Sequence, residues 1–142
     1  MSKPVLSELE YNASDVASAI LSKADLSVTN EDLGVTDRSS LFVYQSGWDD
    51  QNKVCYSFNG FMFCSFLVKH SDTTPDNPET FCVISDSDFY PTETVYAPTV
   101  SYEGDLAFNI TFNSDGNIKV HIPVNINNNS FYICVNAWYR YT

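Results

Sequence analysis

From Leu41 onward, apolar and polar residues alternate in short runs separated by Gly, Pro, Asn and Asp, the pattern of strands joined by turns. LFVYQ (41–45) reads as a strand leading into a polar turn, SGWDDQNK. The stretch VCYSFNGFMFCSFLV (54–68) follows as a hairpin, then the loop KHSDTTPDNPE, where Pro75 and Pro78 preclude regular pairing. TFCVIS (80–85) is the next strand, and DSDFYPTE is a connection bent at Pro91. TVYAPTVSY (94–102) is strand-like, but Pro98 sends it to an edge or a bulge. Two further strands lie in LAFNITFNSDGNIKVHIPV, and SFYICVNAWYRYT closes the chain as a long strand. Seven or eight strands in this order predict a mainly β fold, an antiparallel β-sandwich or jelly roll, with the last strand central.

Both hairpins specify their own register. With Asn59-Gly60 as a two-residue primed turn, residue 58 faces 61, 56 faces 63 and Cys55 faces Cys64. In the second hairpin a loop of Ser114-Asp115-Gly116 pairs 112 with 118, 110 with 120 and 108 with 122. It thereby keeps Phe108, Ile110 and Phe112 on one face with Ile118, Val120 and Ile122. That choice requires a left-handed Gly116.

The first hairpin is apolar on both sides. Val54, Tyr56, Phe58, Phe61, Phe63 and Leu67 share the face assigned to the core. Cys55, Met62, Cys64, Phe66 and Val68 fall on the face that water would normally meet, and each large side chain left there forgoes ~1.5–3 kcal/mol of burial. A cover is therefore expected, either the N-terminal helix or neighbouring subunits.

Residues 1–40 differ from the rest, so the chain divides into an N-terminal anchor or linker (1–40) and a β domain (41–142). Asn12 or Ser14 caps a predicted helix over about residues 13–24, with Ala13, Val16, Ala17, Ile20, Leu21 and Ala24 on one side. Leu6, Leu9, Ala13, Val16 and Ile20 also alternate as a coiled-coil seam would, broken by Lys23. The helix either docks on its own sheet or contributes Val16 and Ile20 to an oligomer seam.

Charge and composition narrow the function. The 142 residues carry a net charge of −11 with only seven Lys and Arg, which disfavours nucleic acid and anionic bilayers as partners. The opening MSKPVLSELEYNASD has no apolar signal segment, and no apolar run approaches a membrane span, so synthesis in a cytoplasm is expected. Cys55, Cys64, Cys82 and Cys134 show no CxxC spacing and read as buried thiols. A Cys55–Cys64 bridge fits the register, whereas cytoplasmic synthesis argues against it.

Catalytic and metal signals are weak. Neither His70, before the TTPDNP loop, nor His121, within a strand, accompanies a nucleophile elbow, and both read as surface or interface residues. Acidic clusters at Asp49-Asp50, Asp72/Asp76/Glu79 and Asp86/Asp88 read as solvated loops, and dedicated calcium-loop spacing is absent. No enzyme activity, metal or cofactor is expected. The candidate glycan contact is Trp48 with Asp49 and Asp50, a stacking plane beside hydrogen-bonding groups, with Asn125, Asn127, Asn128 and Asn129 a second such cluster. A soluble carbohydrate-binding module is thus one functional reading.

The other reading starts from Phe58-Asn59-Gly60-Phe61, Phe89-Tyr90-Pro91, Ser114-Asp115-Gly116-Asn117-Ile118 and Trp138-Tyr139. In these features residues 41–142 resemble the tip domains of phage and prophage fibre proteins. The resemblance implies a trimeric β-sandwich head, an N-terminal segment attached to other virion proteins, and an exposed end that contacts the host, with a host-surface glycan as the candidate ligand. Lacking a long shaft, the chain fits a small head-fibre, decoration or adaptor-type component better than a long tail fibre. The expected interface residues are Met62, Cys64, Phe66, Val68, Val16 and Ile20, and the expected location is the virion.

Overall fold

The structure, a computed structural model, describes residues 33–71, 77–104, 106–123 and 131–142. The predicted N-terminal helix, with Val16 and Ile20, lies outside these residues, as do Asp72, Asp76 and the Asn125–Asn129 cluster. Among the described residues nine strands follow in chain order: β1 (Thr36–Asp37), β2 (Phe42–Tyr44), β3 (Trp48–Phe58), β4 (Phe61–His70), β5 (Glu79–Ile84), β6 (Val95–Ser101), β7 (Ala107–Phe112), β8 (Asn117–His121) and β9 (Phe131–Arg140). Every ladder is antiparallel.

The mainly antiparallel class holds. The two-sheet sandwich does not describe the ladders, which form one continuous sheet, β1-β3-β4-β9-β6-β7-β8-β5-β2, curled into a half-barrel. Its two edges, β1 and β2, are consecutive in the chain and joined through a 3-10 turn at Ser39–Leu41. The strap from 36 to 44 therefore reaches from one edge to the other. It is tied down where it passes: Arg38 N–H donates to Cys55 O at 2.7 Å, Lys53 Nζ to Phe42 O at 2.6 Å, and Ser85 N–H to Leu41 O at 2.8 Å.

Both hairpin registers match the turn chemistry. Asn59 and Gly60 take φ of 49° and 82°, as a type I′ turn demands, and the ladder sets Phe58 opposite Phe61, Tyr56 opposite Phe63 and Cys55 opposite Cys64. In the second hairpin Gly116 has φ 83°, Phe112 faces Ile118 and Ile110 faces Val120. Asn113 N–H donates to Asn117 O at 3.0 Å, closing the loop.

Two local readings need correction. The polar run WDDQNK is not a turn: β3 begins at Trp48, and a bulge at Gln51 lets the acidic stretch stay in the ladder against Val68 and Lys69. β9 is interior as expected, between β4 and β6, but β6 meets it only at Val100 and Ser101. β6 keeps β7 throughout, so Pro98, which has no N–H to donate, sits where the β9 ladder has opened.

The concave side holds the core. Phe42 and Phe66 rings meet at 5.6 Å, Phe66 and Phe112 at 6.4 Å, and Phe112 and Tyr139 at 5.6 Å, so aromatics from β2, β4, β7 and β9 converge inside the curl. Tyr139 OH donates to Phe89 O at 2.9 Å, which satisfies the one polar atom that this large buried side chain carries.

Candidate functional site

β3, β4 and β9 pair along most of their length, so their side chains alternate between core and solvent in matched rows. The outward rows are Phe58–Phe61–Arg140, Tyr56–Phe63–Trp138, Val54–Ser65–Asn136 and Asn52–Leu67–Cys134. Phe58 is 45% exposed, Phe63 46% and Trp138 60%. The Phe61 ring meets Trp138 edge-on at 5.7 Å, and Ser65 Oγ donates to Asn136 Oδ1 at 2.8 Å, so the face is ordered within itself.

Hollows flank Trp138 on both sides. One of about 350 Å³ is lined by Val54, Tyr56, Phe63, Asn136 and Ala137 as well as Trp138. The other, about 420 Å³, lies in the gap where β6 leaves β9; Tyr96, Pro98, Asn136, Arg140 and Glu93 line it. Tyr96 is 75% exposed there. Aromatic planes beside an amide, a guanidinium and a carboxylate suit a flat, partly apolar partner.

This face reverses the sequence expectation. Met62, Cys64, Phe66 and Val68 are buried in the chain's own core, so they are not a surface offered to a neighbour. Tyr56, Phe58, Phe61 and Phe63 are the side that meets solvent. The overlooked signal lay in β4, where Ser65 and Lys69 share a face with Phe61, Phe63 and Leu67 and mark it as wet. β3 obscured it, because polar Lys53 and Ser57 sit on the inner side. The strap absorbs both: Ser57 Oγ accepts from Arg38 Nε at 3.2 Å, and Lys53 Nζ bonds Phe42 O and lies 5.0 Å from the Tyr44 ring.

The glycan candidate at Trp48 is likewise corrected. Trp48 is buried, its ring 4.6 Å from His70, 5.4 Å from Phe81 and 6.2 Å from Phe131, so it offers no stacking plane. Asp49 and Asp50 are exposed, and Asp50 lies 3.6 Å from Lys53 Nζ. His70 is no surface residue either. It ends β4 in the core, stacked on Phe131 at 4.9 Å, with Nε2 3.8 Å from Glu79 Oε2. His121 is exposed, directed away from Val120 and Ile122 as read from the sequence.

Asp86 Oδ1 accepts from Asp88 N–H at 3.0 Å and caps a 3-10 turn. Burial pushes the Cys82 thiol up to about 12. Burial, then a hydrogen bond with Cys55, holds Cys64 well above the usual thiol range. Both are protonated at neutral pH and are poor nucleophiles. Among the described residues no group of three or more His, Cys, Asp or Glu is placed to hold a metal ion, and no helix is long and apolar enough to cross a membrane.

Compared with known proteins, the chain matches no family model and no curated protein. Among solved structures it is similar to the receptor binding protein (gp15) of Listeria phage PSA. The match covers 97% of this chain and 80% of that one, at 10% identity and a TM-score of 0.55. At that identity the likeness is one of fold.

Proposed function

We propose that this chain is a non-enzymatic structural component of a bacteriophage virion, a small head-fibre, decoration or adaptor-type protein. It oligomerises through the outer face of β3, β4 and β9. Residues 1–40 attach it to other virion proteins, and the β domain is directed toward the host. The fold likeness to a phage receptor binding protein supports this reading, and so does the fibre-tip pattern of residues 41–142.

The observation that carries it is the aromatic face. In a chain of net charge −11, no residue in 51–70 or 124–142 is Asp or Glu. Second copies are repelled elsewhere by their net charge and meet few carboxylates here, where covering the half-exposed Phe58, Phe63 and Trp138 stabilises contact by roughly 1 kcal/mol for each side chain. Three copies are taken from the fibre resemblance. Sedimentation at micromolar concentration tests the reading: an oligomer that Phe63→Ser with Trp138→Ser converts to monomer supports it, and a monomeric wild type overturns it.

A carbohydrate-binding module is the second reading, favoured by one feature. The gap between β6 and β9 sets the exposed rings of Trp138 and Tyr96 beside Asn136, Arg140 and Glu93. A glycan array separates the two: binding lost in Trp138→Ala by a protein that is monomeric throughout selects the module.

A further inference from the structure

Cys55 and Cys64 are direct partners across the β3–β4 ladder, and both are free, buried thiols. Two backbone bonds identify the kind of pair. Cys55 N–H donates to Ser39 Oγ at 2.9 Å, and Cys55 O accepts from Arg38 N–H at 2.7 Å. Both backbone groups of Cys55 thus turn toward the strap and away from β4. The turn gives the same parity: Phe58 and Phe61 close a two-residue loop as a hydrogen-bonded pair, so 57/62 and 55/64 are non-hydrogen-bonded.

In such a pair the Cα atoms stand about 4.5 Å apart with side chains converging, inside the ~4.4–6.8 Å that a disulfide spans. Both side chains point into the same core, on the inner face of the hairpin. Other pairings are poorer. Cys134 faces outward opposite Leu67, and Cys82 shares the core with both but comes from β5 across the curl, with no ladder to hold it opposite either of them.

We propose that Cys55 and Cys64 are a disulfide site, folded first as thiols and bridged when the surroundings supply a low-molecular-weight disulfide such as oxidised glutathione. The thiolate of one cysteine attacks the glutathione disulfide, forming a mixed disulfide and expelling one glutathione thiolate. The second cysteine's thiolate attacks the protein-side sulfur, closing the Sγ–Sγ bond and expelling the other. The protein loses two protons and two electrons; the glutathione disulfide takes up both. Burial and the raised Cys64 keep this slow in the closed fold, so bridging proceeds through opening of the strap over Cys55.

The full chain is equilibrated with reduced and oxidised glutathione in mildly alkaline buffer, acid-quenched, alkylated and peptide-mapped. The expected result is a Cys55–Cys64 peptide with Cys82 and Cys134 alkylated, unchanged in Cys82→Ser. Bridging should accelerate in mild denaturant, and the bridged form should melt roughly 5–10 °C above the reduced one. Recovery of Cys55 and Cys64 both alkylated, even after refolding in oxidised glutathione, overturns the proposal. A bridge formed chiefly to Cys82 or Cys134, or a bridged form that melts below the reduced one, also overturns it.

Discussion

Phe63 stands directly opposite Trp138 across the β4–β9 ladder, and both rings face away from the core. Three residues on in β4, Phe66 points the other way and packs between Phe42 and Phe112. The two phenylalanines should therefore respond in opposite senses. Phe66→Ala should cost ~3–5 kcal/mol of stability in urea unfolding. Phe63→Ser should leave the monomer's stability within about 0.5 kcal/mol while weakening self-association measured by sedimentation.

Gly116 carries two constraints at once. Its φ of 83° suits glycine, and a Cβ there would run into the Tyr90 ring. Gly116→Val should destabilise by about 1–3 kcal/mol from the backbone alone, with more added by displacing Tyr90. Thermal melting of Gly116→Val beside Gly116→Asn, which tolerates positive φ better, separates the two contributions.

Lys53 ties the curl shut, since its Nζ reaches Phe42 O on the opposite edge strand. Lys53→Met keeps the stem but loses the donor, and should cost about 1–3 kcal/mol. Hydrogen exchange should show the loss first in β2 and its partner β5, leaving the β4–β9 ladder protected. Uniform loss across all strands would contradict this role.

Asp115 accepts from Asn117 N–H at 3.0 Å in the second hairpin, and these hydrogen bonds hold its carboxyl below the ordinary value of 3.8. A depressed folded value means the charged form binds better in the native state. Its contribution is complete above about pH 5 and is lost as pH falls through 3.8 and below. The stability gap between wild type and Asp115→Ala, measured by urea unfolding, should narrow as pH is lowered from 5 toward 3.

Some of what could be read locally held. The type I′ turn at Asn59-Gly60, the loop around Gly116 and the central final strand follow from turn chemistry and period-two alternation within a few residues, whereas Pro98 proved to lie in an interior strand rather than at an edge or a bulge. Ser65 and Lys69 even carried the clue to the wet face, which Lys53 and Ser57 cancelled until the strap supplied them with partners.

The chain's own alternation settled which residues stand together on each side of the β3–β4 hairpin. It did not settle which side is inside, because both sides are apolar and burial depends on which way the sheet curls. That direction is set by contacts far apart in sequence, such as Phe42 on Phe66 and Lys53 on Phe42, that form only once strands from both ends of the sheet meet.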